Sequence, residues 1–174
     1  MTIVVKYDHQ LSRREIDKIF LVYNECFYDG KVTKNKQIKQ AKIWLAKSHI
    51  FQWYLLKLDD DIVGIANYVY DYTNAANFSI QQDKGENVSS LGVRVKYQRQ
   101  GYARQLMDWL INDHPNVDLV VEIKKGNPQY EKLIKFYNNL GFKLMSYQES
   151  DEDNIYLKRN EVTDKDQTPT KMVD

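Results

Sequence analysis

The residues best placed to do chemistry lie in one short run: Leu91-Gly92-Val93-Arg94-Val95-Lys96-Tyr97-Gln98-Arg99-Gln100-Gly101-Tyr102-Ala103. It reads as the end of a strand, a polar turn, and a small-residue opening to a helix. Free backbone N–H groups at a helix start point at whatever lies in front of them, and the helix dipole adds partial positive charge there. Gly101 has no Cβ, so a ligand can approach the backbone closely, while Lys96, Arg99 and Arg104 add cations. Together these features describe a site for a pyrophosphate. Three ligand classes present one. The dinucleotide fingerprint needs three glycines, where this run has only Gly101, and the P-loop needs a Gly-Lys-Ser/Thr ending that is absent. Coenzyme A is the third choice.

The elements that must position this run can be read from periodicity. Ile3–Tyr7 is β-prone. Ser12-Arg13-Arg14-Glu15 fits a capping box, and Ile16, Ile19, Phe20, Tyr23 and Phe27 then recur at helical spacing, with Gly30 as the stop. A second helix is expected over 33–47. Ile50–Leu58 and Ile62–Tyr70 are apolar, β-branched and aromatic runs flanking Asp59-Asp60-Asp61, which reads as a hairpin with a solvated acidic turn. Residues 71–86 form a long polar connection. Asn87–Lys96 is a strand with Leu91, Val93 and Val95 on one face, and Gly101–Asp113 is a helix with Ala103, Leu106, Met107, Leu110 and Ile111 inward. Asp118–Ile123 is a buried strand and Tyr130–Leu140 a helix. Phe142–Tyr147 and Asn154–Lys158 close the pattern around an acidic loop, Glu149–Asp153. The order β, α, α, β, β, β, α, β, α, β, β predicts an α/β (α+β) domain with a single mixed, mostly antiparallel sheet and helices on both faces. One domain spans 1–158, and 159–174 reads as a polar, mobile tail.

Composition narrows the function. Hydrophobic residues make up 43% and charged residues 28%, with 25 Lys+Arg against 24 Asp+Glu and a net charge of +1. That balance gives no reason to expect a nucleic-acid partner. The single cysteine, Cys26, cannot form an internal disulfide, falls on an apolar helical face, and reads as a small core residue. The three histidines, His9, His49 and His114, are scattered, so neither a metal site nor a Cys/His pair is expected. No apolar run approaches the ~20 residues that span a bilayer, and the start of the chain is too short and polar for a signal peptide. A cytosolic protein without a membrane partner is expected, as a monomer or a homodimer.

Two short motifs carry a family resemblance. Gln98-x-x-Gly101-x-Ala103 resembles the Gln/Arg-x-x-Gly-x-Gly/Ala signature of the GNAT acetyltransferases, and Phe136-Tyr137-Asn138-Asn139-Leu140-Gly141-Phe142 resembles that family's Tyr-x-x-x-Gly-Phe. One strand lies between the two motifs, as in the family, and the element order matches over residues 3–158.

The resemblance implies an acetyl-CoA-dependent N-acetyltransferase. The strand before the signature and the next one would splay apart. The pantetheine arm would lie between them like an added strand, flanked by Leu91, Val93 and Val95. Gln98, Arg99, Gln100, Gly101, Tyr102, Ala103 and Arg104 would surround the pyrophosphate. Tyr137 matches the family's general acid. For the base, Glu86 lies near the position some members use, although strand parity places Asn87 and Ser89 on the face of Leu91; a water chain held by Asn87, Ser89 or tyrosine side chains is the alternative. Many members carry Asn seven residues before the tyrosine; here that position is Tyr130, with Asn127 three residues earlier. Phe136, Leu140 and Phe142 read as core. The acceptor expected is a small-molecule amine (polyamine, aminoglycoside or amino sugar); Glu149, Asp151, Glu152 and Asp153 could attract it, with a merely solvated acidic loop as the alternative. Tyr68, Tyr70 and Tyr72 share one parity and could line its pocket or equally form one packed or exposed sheet face. A protein lysine or N-terminus, a non-catalytic acyl-CoA sensor and a nucleotide-binding module are the competing readings.

Overall fold

Seven strands form one sheet in the order β1-β2-β3-β4-β5-β7-β6 in the computed structural model, which describes residues 1–28, 30, 31, 33, 35, 36, 39, 51–69, 87–122, 127–144 and 154–159. The strands are β1 (Thr2–Tyr7), β2 (Phe51–Leu58), β3 (Asp61–Val69), β4 (Asn87–Val93), β5 (Asp118–Glu122), β6 (Phe142–Leu144) and β7 (Asn154–Arg159). Three α-helices accompany them among the described residues: α1 (Arg13–Phe27), α2 (Tyr102–Asp113) and α3 (Tyr130–Asn138). All pairings are antiparallel except β4 with β5. That is the mixed sheet expected, because the α2 crossover returns the chain in the direction of β4. Most of the second expected helix, whose described residues 35, 36 and 39 are helical, lies outside the described residues, as do the acidic loop, the polar connection with Tyr70 and Tyr72, and the tail beyond Arg159.

The central hairpin explains its own continuous apolar sequence. Trp53, Leu55, Ile62 and Ile65 are buried under α1 with Ile16, Ile19 and Phe20. Tyr54, Leu56, Val63, Ala66 and Tyr68 are buried on the opposite face with Leu106, Met107 and Leu110 of α2. A strand covered on both sides has no solvent face, so apolar residues need not alternate with polar ones. α1 departs from expectation at its C-terminal end. Val22 is fully buried while Phe27 is 46% exposed, so the inner stripe drifts off the last turn.

The capping box forms as its spacing predicts. The backbone N–H of Glu15 donates to Ser12 Oγ at 3.2 Å, and that of Ser12 donates to Glu15 Oε2 at 2.9 Å. The Glu15 carboxylate also takes Lys6 and Lys57, each at 2.8 Å, which ties α1 to β1 and β2. In the Asp59–Asp61 turn, Asp59 and Asp60 are exposed as expected, while Asp61 and the Asp60 carbonyl tie the turn to its neighbours. Asp61 accepts from Arg94 Nη1 at 2.9 Å, and the Asp60 carbonyl accepts from Lys18.

Burial alone would raise the Glu15 carboxyl, but hydrogen bonds from Lys57, Lys6 and Ser12 outweigh it and bring it from 4.5 down to about 2. A carboxyl depressed in the fold stabilises it fully above its unfolded value; that contribution is lost as pH falls toward the folded value. Glu15→Gln is expected to lose roughly 1–3 kcal/mol at neutral pH. Urea unfolding against pH should show the gap between variant and wild type closing between about 4.5 and about 2.

Candidate active site

β4 ends earlier than its sequence suggests. Arg94 leaves the strand pattern because its side chain is held by Glu25 Oε1 at 2.8 Å and Asp61 Oδ2 at 2.9 Å. A single 3-10 turn, Val95–Tyr97, follows. Val95 therefore does not alternate with Leu91 and Val93: it is 63% exposed, and its N–H donates to Glu25 Oε2. Gln98 folds back, its Nε2 donating to the Val93 carbonyl at 2.9 Å, and so closes the turn on the strand end.

The turn then enters α2 through two left-handed residues, Arg99 (φ 61°) and Gly101 (φ 81°). Mixed right- and left-handed conformations turn successive N–H groups to one side and make an anion-binding concavity. Gly101 is the N-cap, and no side chain caps the helix. The first N–H groups of α2 consequently have no partner within the helix. They open onto a cavity of about 380 Å³ lined by Val93, Tyr97, Gln98, Arg99, Gly101, Tyr102, Ala103, Arg104, Phe136 and Asn139. Leu91, Val95 and Gln100 do not line it; Gln100 is exposed and approaches the Lys96 carbonyl. Phe136, read from sequence as core, does pack against the core cluster, but it is half-buried and also lines the cavity with Asn139. Sequence offered no signal for that: a helix-face phenylalanine reads the same whether it meets core or cavity.

Behind the cavity the sheet opens. β4 pairs with β5 only at Asn87↔Asp118 and Val88↔Leu119, although β4 runs on to Val93 and β5 to Glu122. The Arg94 N–H donates to the Val63 carbonyl on β3. Main-chain groups alternate sides along a strand, so the N–H groups of Leu91 and Val93 turn away from β3, toward the gap.

β4 also carries a bulge. Tyr68 pairs with Val88 and Asn67 with Ser90, which leaves Ser89 without an opposite number. The bulge breaks the simple parity used on the sequence. Val88, rather than an odd-numbered residue, shares the core face of Leu91 and Val93. Glu86, the candidate base, lies outside the described residues.

Tyr137 is 5% exposed and packs edge-on against Phe136 and Phe142, with ring centroids at 5.0 and 6.1 Å. Burial pushes its phenol well above the ordinary range, so it holds its proton at neutral pH. Cys26 packs beside the core as its position suggests, and its Sγ donates to the Val93 carbonyl at 3.3 Å. Burial, then the charge of Glu25, raises the thiol to about 11, which suppresses its nucleophilicity. Among the described residues no three His, Cys, Asp or Glu side chains gather as metal ligands, and no helix is long and apolar enough to cross a membrane.

The family model described as the acetyltransferase (GNAT) family matches residues 16–142. No curated protein matches the chain in sequence. Among solved structures, the fold is similar to an acetyltransferase from Thermus thermophilus, at 14% identity and a TM-score of 0.67, over 91% of this chain and 97% of that one. It is similar to the ribosomal-protein-S18-alanine N-acetyltransferase from Escherichia coli, at 16% identity and a TM-score of 0.60, over 91% and 93%. It is also similar to the PaiA N-acetyltransferase from Thermoplasma acidophilum in complex with coenzyme A, at 12% identity and a TM-score of 0.59, over 92% and 99%.

Nothing lies within 4 Å of where a Cβ on Gly101 would stand, so a side chain there meets open space and acts through the backbone. Gly101→Val is expected to cost about 1–2 kcal/mol through its left-handed φ, read as a lower thermal midpoint, while the far-ultraviolet dichroism of the folded protein is unchanged.

Proposed function

The chain belongs to the GNAT family of acetyltransferases, and from that premise we propose that it moves an acetyl group from acetyl-CoA directly to the primary amine of a small molecule. The observation that carries this reading is the early parting of β4 from β5, which leaves the N–H groups of Leu91 and Val93 facing a gap that adjoins the cavity at the α2 N-terminus. A pantetheine arm has amide groups that can pair with such an edge. A pyrophosphate suits the concavity of Arg99 to Ala103, with Arg104 beside it, Gln98 holding the turn, and Tyr102 and Phe136 forming walls. A protein of similar fold was crystallised with coenzyme A.

The chemistry follows from the reacting groups. The amine must lose a proton before its lone pair can attack the thioester carbon. Negative charge then develops on the carbonyl oxygen, where one β4 N–H, that of Leu91, supplies a preorganised donor. As the carbon–sulfur bond breaks, the electron pair leaves with sulfur; Tyr137, protonated at neutral pH, passes its proton to the sulfur to make the free thiol and is reprotonated by the proton that the attacking nitrogen sheds as the amide forms. Cys26, with its thiol held neutral, does not compete as an acyl acceptor. Glu86 is the candidate for removing the amine proton. If it does so, Glu86→Gln abolishes the acidic limb of the pH–rate profile; if water does so, the limb persists.

The decisive assay is thiol release from acetyl-CoA against polyamines, aminoglycosides, amino sugars, amino acids and lysine peptides. Release is expected with a small amine. Tyr137→Phe should lower turnover about 10²–10⁴-fold while coenzyme A still binds, whereas Gly101→Val should lose that binding. Release with lysine peptides alone would move the acceptor to proteins, and no coenzyme A binding by the wild-type chain would refute the reading.

A further inference from the structure

The face of β4 turned away from the cofactor cavity carries a polar cluster that neither helix capping nor ion pairing explains. Ser90 is the first residue after the bulge at Ser89, and it pairs in register with Asn67 on β3. Its Oγ hydrogen-bonds the hydroxyl of Tyr23, on α1. The Asn67 side chain bonds the same Tyr23 hydroxyl. Three elements thus meet at one phenol oxygen, next to the place where β4 leaves β5.

The surroundings are apolar and aromatic. Tyr23 stacks at an angle on Phe27 at 5.0 Å and edge-on against Trp53 at 6.4 Å. Two residues beyond Ser90, Gly92 lies close under α1: a Cβ there would stand 3.2 Å from Cys26 Sγ, a tight contact. Helix α1 is therefore pressed against β4 over Ser90 and Gly92, and the Tyr23 hydroxyl is its polar grip at Ser90. Burial, partly countered by the Ser90 bond, raises the Tyr23 phenol well above its ordinary range, so the hydroxyl keeps its proton and remains a fixed hydrogen-bonding group.

The cluster is also incomplete as a purely stabilising device. Asn67 is 2% exposed, yet its Oδ1 has no partner among the described residues. A buried acceptor left unmet costs about 1–3 kcal/mol, and such defects concentrate where function holds a geometry that stability alone would not select.

We propose that Tyr23, Asn67 and Ser90 form a positioning clamp for acyl transfer, holding β4 just past its bulge so that the adjacent Leu91 N–H meets the thioester carbonyl. Tyr23 acts here through the strand and is a positioning residue. The inference rests on the acetyl-CoA reading given above. It assigns the clamp to the transfer step and not to cofactor affinity, because the pyrophosphate cradle lies beyond Arg94 at the other end of the turn.

Acetyl-CoA isotopically labelled at the thioester carbonyl tests it by difference infrared spectroscopy on the full-length protein. On the wild type, the carbonyl band is expected at lower frequency than in free acetyl-CoA, reporting a hydrogen bond to the oxygen. In Tyr23→Phe the band should return toward its free position, and turnover with the best amine should fall on the order of 10–100-fold, with KM for acetyl-CoA changed less than about threefold. Ser90→Ala removes the other end of the same bond and should reproduce the shift, and the double variant should add little to either single one. This second route serves if one variant folds poorly. A band that stays in place in both single variants while acetyl-CoA remains bound would overturn the clamp and leave the functional reading intact. Failure of the wild type to bind acetyl-CoA would overturn both.

Discussion

The whole arrangement depends on a sheet that stops being a sheet in the middle. Parallel neighbours normally bond along their shared length, but β4 and β5 are joined for two residue pairs and then part. Interior main-chain groups released in this way are costly unless something else takes them. One of them is accounted for locally: the Val93 carbonyl, at the end of β4, receives the Gln98 side chain and the Cys26 thiol. The N–H groups of Leu91 and Val93 are left facing the gap, and a chemically useful edge exists because the fold stabilises β4 without them.

That stabilisation comes from both faces and from the far edge. β3 pairs with β4 along nearly its whole length on either side of the bulge. Leu91, Val93 and Val88 enter the core shared with α2, while Gly92 lets α1 lie close on the opposite side. Arg94 ends the strand by engaging Glu25 of α1 and Asp61 of the β2–β3 turn with one guanidinium. A planar fork held by two carboxylates is suited to such a junction, since it sets direction as well as distance. Helix, hairpin and strand end are tied at the point where the polar turn begins, so the turn projects from a rigid base.

The same use of unmet donors recurs at the α2 N-terminus. A helix start without a side-chain cap leaves donors unmet, and two left-handed residues aim neighbouring N–H groups into the same space. Together with the Leu91 and Val93 N–H groups, these form two sets of donors facing adjacent parts of one opening. That pairing suits a long ligand with an anionic end and an amide-rich arm.

Much of this was legible in the amino-acid sequence because it is local. The capping box at Ser12 and Glu15, the helical stripe of Leu106, Met107, Leu110 and Ile111, and the glycine at the turn into α2 express backbone requirements within a few residues. So does the short motif Gln98–Ala103, and element order carried the mixed sheet with it. Four things were decided only by tertiary structure. The bulge at Ser89 is a register shift against β3, so parity counted along β4 alone misplaced the residues before it. The end of β4 at Val93 is imposed by Glu25 and Asp61, distant in sequence, which pull Arg94 and turn Val95 outward. The cavity wall of Phe136 and Asn139 and the hydrogen bond between Tyr23 and Ser90 join elements whose spacing in the chain carries no information about their distance. Local patterns record what each segment needs from its own backbone; contacts between segments depend on how those segments pack, and packing is a property of the assembled sheet and helices.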